Sequence, residues 1–268
     1  MADDFTRFVG SIPQHYDQGM GPVMFAGFAD IVAQRVAAFA PSRVLETAAG
    51  TGIVTRRLRD RLPASAQLVA TDLNPPMLDY ARGKFSAGEA VAFQAEDATR
   101  LSFADGGFDA VVCQFGVMFF PDKDAGYREA HRVLTPGGRF HFSVWDTFAL
   151  NPFSRLTMDA LQETFGGDPP PFLKMPFGYA AIDPIKTSLH GAGFKTMRVD
   201  VLRIEAPVPD PAGFAQGLVR GSPLVEQLRS RGADLDSFVE IVAQRVRRAI
   251  AGSGTTPLQA IFFEAEKS

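Results

Sequence analysis

The sequence predicts a doubly wound α/β fold: a mostly parallel seven-stranded sheet with an antiparallel last strand and helical cap insertions. Three observations lead there. Short apolar runs alternate with amphipathic ones through the first two-thirds of the chain. A buried run, Arg43-Val-Leu-Glu46, enters a small-residue loop that opens a helix. The chain then closes on a helix, a strand, a long helical excursion and a final strand, an order that suits a last strand lying antiparallel between two parallel neighbours.

Strands are expected near Arg43 to Glu46, Leu68 to Asp72, Ala90 to Gln94, Phe108 to Gln114, Gly138 to Trp145, Thr196 to Glu205 and Leu258 to Ala265. Met24 to Phe39 has apolar residues at helical spacing (Phe25, Phe28, Ile31, Val32, Val36) and Pro41 closes it. Val54 to Leu62 carries the helix after the loop. Pro75-Pro76 opens a helix through Lys84, and Asp124 opens another through Leu134, with Thr135-Pro-Gly-Gly138 turning into the fifth strand. Asn151-Pro152 starts a helix to about Phe165, which Gly166-Gly-Asp-Pro-Pro-Pro171 breaks into a lid-like loop running to Tyr179. Ile182 to Ala192 is helical, and Pro211 to Ile250 is a largely helical insertion. No Gly/Ser-rich linker divides the chain, so one domain is expected: residues 1–40 as an N-terminal lid, 41–146 as a ligand-binding core, and 147–181 with 207–254 as caps.

Composition narrows the function. A content of 46% hydrophobic residues supports a single buried core, and 27 basic against 30 acidic residues leave a net charge of -3, with no positive field for a polyanion. Nucleic acid is therefore disfavoured as a partner and small molecules are favoured. The single cysteine, Cys113, sits in an apolar run and reads as a buried hydrophobe. The acidic start Met1-Ala-Asp-Asp-Phe5 does not resemble a signal segment, and no run of about eighteen apolar residues occurs, so a cytoplasmic protein without membrane insertion is expected. The four histidines lack ligand spacing, so no metal is expected.

The first loop carries the ligand argument. Ala48, Gly50 and Gly52 remove side chains where a backbone must approach a nucleotide. Glu46, at the strand end, would repel a pyrophosphate and attract an ammonium or sulfonium group. Asp72, at the end of the second strand, can accept from ribose hydroxyls. S-adenosylmethionine carries both cations and the ribose.

These residues together resemble the class I S-adenosylmethionine-dependent methyltransferases, whose sheet is Rossmann-like, and in particular the small-molecule branch similar to the ubiquinone/menaquinone-biosynthesis type. The likeness covers roughly Tyr16 to Trp145. Val44 to Gly52 resembles the family's first motif, with Ala48 in place of its first glycine. The resemblance implies that Glu46, Ala48, Gly50, Thr51 and Gly52 line the cofactor, that Asp72 takes the ribose with Leu73 and Met77 flanking adenine, that Asp97 and the Ala98 amide meet the adenine edge, and that Gln114 contacts the methionine end. It also implies a Tyr16 ring near the sulfonium.

In-line methyl transfer asks for alignment of donor and acceptor and for no metal. His15 and Tyr16 are the candidates for any proton removal. Phe115, Phe119, Trp145, Phe172, Met175, Phe177 and Tyr179 are the candidate walls of an acceptor pocket, which their character makes apolar. Two alternatives remain: a nicotinamide-dependent oxidoreductase, opposed by Glu46 and by Thr55 at the third small position, and a non-catalytic cofactor-binding module.

Overall fold

Val44 and Leu45 of β1 (Arg43–Glu46) are fully buried between two other strands, β2 (Gln67–Asp72) and β4 (Phe108–Gln114), both parallel to it. Such strands need apolar residues on both faces, hence their continuous Val/Leu/Ala runs. In the computed structural model, which describes residues 7–268, β3 (Val91–Ala95), β5 (Leu134–Trp145), β6 (Thr196–Pro207) and β7 (Thr255–Glu266) complete one sheet in the order β3-β2-β1-β4-β5-β7-β6. β7 is antiparallel to both its neighbours, as the closing element order implies. The expected reading of Met1–Phe5 lies outside the described residues.

Connections from β1 lead outward on one side through β2 and β3, and β4 starts the other side. The order therefore reverses between β1 and β4, which opens a crevice at their carboxyl ends. Helices α3 (Ile53–Arg61), α4 (Pro75–Arg82) and α5 (Lys123–Val133) follow β1, β2 and β4. Asp122 caps α5 by accepting from the Ala125 N–H at 2.8 Å. β5 begins four residues earlier than expected, because Thr135 to Gly138 do not turn out of the sheet but form an irregularity within it, with Gly137 at φ 78°.

The largest departure from the sequence reading lies at the N-terminal side. A short helix α1 (Ile12–His15) continues into a ten-residue π-helical segment, Tyr16–Phe25, before α2 (Ala26–Ala38). Pro22 lies inside that segment, and wider turns of this kind cluster at functional sites. Its backbone packs directly on α8 (Pro211–Arg220): a Cβ on Gly19 would come 2.5 Å from the Gly213 carbonyl oxygen, and one on Gly217 would come 2.6 Å from the Met20 nitrogen. We expect Gly217→Ala to separate the two elements and cost at least ~2 kcal/mol by overpacking, measured by urea denaturation; a midpoint within error of wild type would show that the segment simply shifts.

α6 (Pro152–Phe165), α7 (Ile182–Gly191), α9 (Leu224–Ser230) and α10 (Leu235–Ile250) supply the remaining helices. Buried residues of α2, α6, α8 and α10 join those of the sheet in one hydrophobic core. Among the described residues no helix is long and apolar enough to cross a membrane.

Candidate active site

The loop after β1 turns sharply enough that three residues have positive φ: Ala48 at 53°, Gly50 at 57° and Gly52 at 78°. Gly52 is tightly constrained, since a Cβ there would lie 2.9 Å from that of Ala81 on α4. Ala48 accepts a conformation that ordinarily favours glycine. Gly116, on the loop after β4, makes room for it, because a Cβ on Gly116 would come within 2.5 Å of the Ala48 methyl.

Asp72 holds this loop from the neighbouring strand. Its Oδ2 accepts from the Gly50 N–H at 2.8 Å, and its Oδ1 accepts from the Asn74 N–H at 2.8 Å, fixing the start of α4. Burial raises its pKa above the usual carboxylate value, while these N–H groups pull it back. Glu46 is held less well: its Oε2 is buried without a partner, and only Thr55 offsets the cost of burying the carboxylate. Burial pushes its pKa up to about 8, with the charge of Asp72 adding to the rise. The Gln114 Oε1 is a second buried acceptor atom without a donor, although the Nε2 donates to the Phe25 carbonyl at 3.3 Å. Two adjacent acceptors awaiting donors are suited to a cationic ligand group.

The π-helical segment roofs the crevice. Asp17 accepts from the Thr51 hydroxyl at 2.7 Å and pairs with Lys84, which latches the segment to the glycine loop. Tyr16 stacks on Phe25, centroids 4.8 Å apart. Burial and the charges of Asp72 and Asp17 raise the Tyr16 phenol, so it stays protonated. Below this stack lies a crevice of about 20 Å³ bordered by Glu46, Thr51 and Gln114. Beyond it opens a cavity of about 740 Å³, ample for a cofactor and a small molecule together.

The structure brings most of the sequence-predicted residues to this large cavity. Tyr16, Ala48, Gly50, Asp72, Leu73 and Met77 line one side; Asp97, Ala98 and Gln114 adjoin them; Phe115, Phe119, Trp145, Phe172, Met175 and Phe177 form the aromatic remainder. Leu73 is 56% exposed, an apolar surface at the cavity side of α4. Asp97 is exposed, and its Oδ1 accepts from Thr99 N–H and hydroxyl. Phe115 has φ 54°, a strained value for a bulky residue, and its ring lies flat on Trp145 at 3.9 Å.

Glu46 and Thr51 border the small crevice, and three candidates line neither space: Gly52, which packs against Ala81 of α4, Tyr179 and His15. Tyr179 is off the cavity wall because its hydroxyl bonds that of Tyr127 at 3.0 Å, making it a support behind the wall. His15 is also off the wall, where burial and Arg220 lower its pKa. Sequence reasoning missed Lys123, Ser154, Thr157 and Ser222, polar residues that reach the wall from the start of α5, from α6 and from the α8–α9 turn. Each is locally an ordinary helix or turn residue, and only tertiary packing distinguishes it. Cys113 is fully buried with its thiol pushed up to about 12. His141, flanked by Arg139 and Arg35 and buried, is held down to about 3. Among the described residues no group of three metal-ligating side chains occurs.

Comparison with known proteins agrees with this geometry. Residues 44–138 match a family model described as "Methyltransferase domain". The demethylmenaquinone methyltransferase of Deinococcus radiodurans is 43% identical over 114 residues, 42% of this chain and 47% of that protein. That of Thermus thermophilus is 46% identical over 101 residues, 37% of this chain and 46% of that protein. The chain thus spans about half the length of these curated relatives. A solved phosphoethanolamine N-methyltransferase 2 of Haemonchus contortus shares the fold with a TM-score of 0.63 and 16% identity, covering 99% of this chain and 60% of that one. The [4+2]-cyclase SpnF shares it with a TM-score of 0.54 and 19% identity, covering 90% and 80%. The segment that carries the glycine loop and both strand-tip acids is thus the part of the chain that is similar to methyltransferase domains, and the whole chain shares the fold of the solved structures.

Proposed function

We propose that the protein transfers the methyl group of S-adenosylmethionine to a small, largely apolar acceptor by in-line displacement. The observation that carries this reading is the pair of orphaned buried acceptors, Glu46 Oε2 and Gln114 Oε1, beside the Asp72 carboxylate at the switch point of the sheet. The residues fit the cofactor. An ammonium group supplies the donors that Glu46 and Gln114 lack, and the remaining lone pairs of Asp72 suit ribose hydroxyls. Leu73 and Met77 offer apolar surface to adenine, with Asp97 and the Ala98 N–H for its polar edge. The Tyr16 ring offers a π face to a cation, worth ~0.5–2 kcal/mol.

When bound, S-adenosylmethionine supplies a methyl group on a sulfonium, a leaving group that needs no acid. The chain's own work is alignment and exclusion of water: the Tyr16–Phe25 stack covers the crevice, and the Phe115–Trp145 pair walls the chamber beyond it. In this reading the described part of residues 1–40, together with 147–181 and 207–254, shapes the acceptor chamber around the core of 41–146. A flat acceptor of the quinone type, as the relatives' names suggest, suits those aromatic walls. The fold alone does not decide the reaction, since a cyclase shares it.

Incubation with methyl-labelled cofactor and a panel of hydroquinones, phenols and amines tests the reading: label is expected in an apolar ring compound. Binding of S-adenosylhomocysteine without transfer to any acceptor would favour a non-catalytic module. Binding of NADH in its place would favour an oxidoreductase.

A further inference from the structure

The acceptor chamber contains a charge that methyl donation leaves unused. Lys123, the first residue of α5, reaches the wall of the large cavity, and among the described residues it is the sole basic side chain there. Its Nζ donates to the Phe120 carbonyl at 3.0 Å and lies 5.0 Å from the centroid of the Tyr179 ring, and no ion pair with a carboxylate is found for it among the described residues. Two of its three N–H donors remain free for a ligand. The Tyr127–Tyr179 hydroxyl pair buttresses it from behind. The wall's carboxylates, Asp72, Glu96 and Asp97, come from the ends of β2 and β3, so negative charge is gathered at the cofactor side.

A second observation points to a polar ligand in this chamber. The Ser222 Oγ is buried and lacks a partner, although the residue lines the same cavity. The hydroxyls of Ser154 and Thr157 already donate to the Asn151 and Phe153 carbonyls, leaving their lone pairs inward. Among the described residues no histidine lines the wall, and the Tyr16 phenol stays protonated. A chamber so furnished suits an acceptor that arrives with its proton already lost.

Resting on the methyl-transfer reading above, we propose that Lys123 is a specificity-determining residue that binds an oxyanion carried by an apolar aromatic acceptor. The acceptor loses its proton to solvent before or on entry. An electron pair of the oxygen forms the new bond to the methyl carbon. The carbon–sulfur bond breaks with its pair remaining on sulfur, so the sulfonium becomes a neutral sulfide and the oxyanion charge is neutralised.

The oxyanion could be a phenolate or a carboxylate, and two probe arms separate them: 4-nitrophenolate against nitrobenzene, and 2-naphthoate against 2-naphthamide. Binding is read from the fluorescence of Trp145, the only tryptophan of the chain and itself on the chamber wall, with and without S-adenosylhomocysteine. Because the readout needs no methyl transfer, failure of the donor reading, seen as no S-adenosylhomocysteine binding, is distinguishable from failure of this one. We expect at least one anion to bind about tenfold or more tightly than its neutral counterpart, the gain of one charge-assisted hydrogen bond. Which arm shows the preference names the source. Lys123→Met should abolish the preference, Lys123→Arg should retain most of it, and both should bind S-adenosylhomocysteine as wild type does. Equal affinity for anion and neutral probe in the wild type, or an undiminished preference in Lys123→Met, overturns the proposal.

Discussion

Replacing Asp72 by Ala is expected to weaken S-adenosylhomocysteine binding by about 100-fold or more, because two hydrogen bonds to a carboxylate, each worth ~1.5–3 kcal/mol, would be lost together. Asp72 also organises the loop, so the same change leaves the buried Gly50 N–H without its acceptor. A stability loss of ~1–3 kcal/mol should accompany it. The two effects separate with a ligand change in place of a protein change. Wild type should discriminate against the 2′-deoxy form of the ligand, and Asp72→Asn should discriminate far less. Calorimetry measures both, and equal discrimination by the two proteins would remove Asp72 from the ribose contact while leaving its role in the loop intact.

Glu46 gives the second large effect, through pH. With its pKa pushed up to about 8 by burial, the side chain is mostly protonated at neutral pH in the ligand-free protein. A bound ammonium favours the ionised form, so binding releases a proton. Cofactor affinity should therefore rise with pH, by up to tenfold per unit, and level off above about 8. For folding the sign is opposite. A carboxyl whose folded pKa lies above its unfolded 4.5 contributes stability that is complete below about 4.5 and is lost as pH rises toward about 8. Glu46→Gln should accordingly flatten both profiles, weakening the cofactor at pH 8 while raising the thermal midpoint of the free protein there. A variant whose affinity keeps the wild-type pH slope would show that another group supplies the proton.

Most of the sheet was legible from sequence because the seven strands carry the patterns their burial demands. β1, β2 and β4 are largely apolar runs buried on both faces, and α3 and α4 open at the small-residue loop and Pro75 as expected, whereas α5 opens at Asp122, two residues before the expected Asp124. The strand-tip acids were legible for the same reason, since a carboxylate at the end of an apolar run stands out. The π-helical segment was not, because its wider turn breaks the 3.6-residue period and its packing partners are remote: the glycines of α8 against which Gly19 packs. Lys123 and Ser222 were equally hidden. Their significance comes from neighbours far along the chain, Tyr179 and the cavity wall, and nothing in their local sequence distinguishes them.

The Gly19–Gly217 contact restricts how this architecture can be re-engineered. Roof and second insertion meet through bare backbone, so neither surface tolerates an added methyl group. The matched family segment, residues 44–138, includes neither partner. A chimaera that imports residues 207–254 from a different parent must therefore bring that parent's counterpart of residues 12–25 with it, and diversification of acceptor range in this lineage would proceed by exchanging the two as a pair.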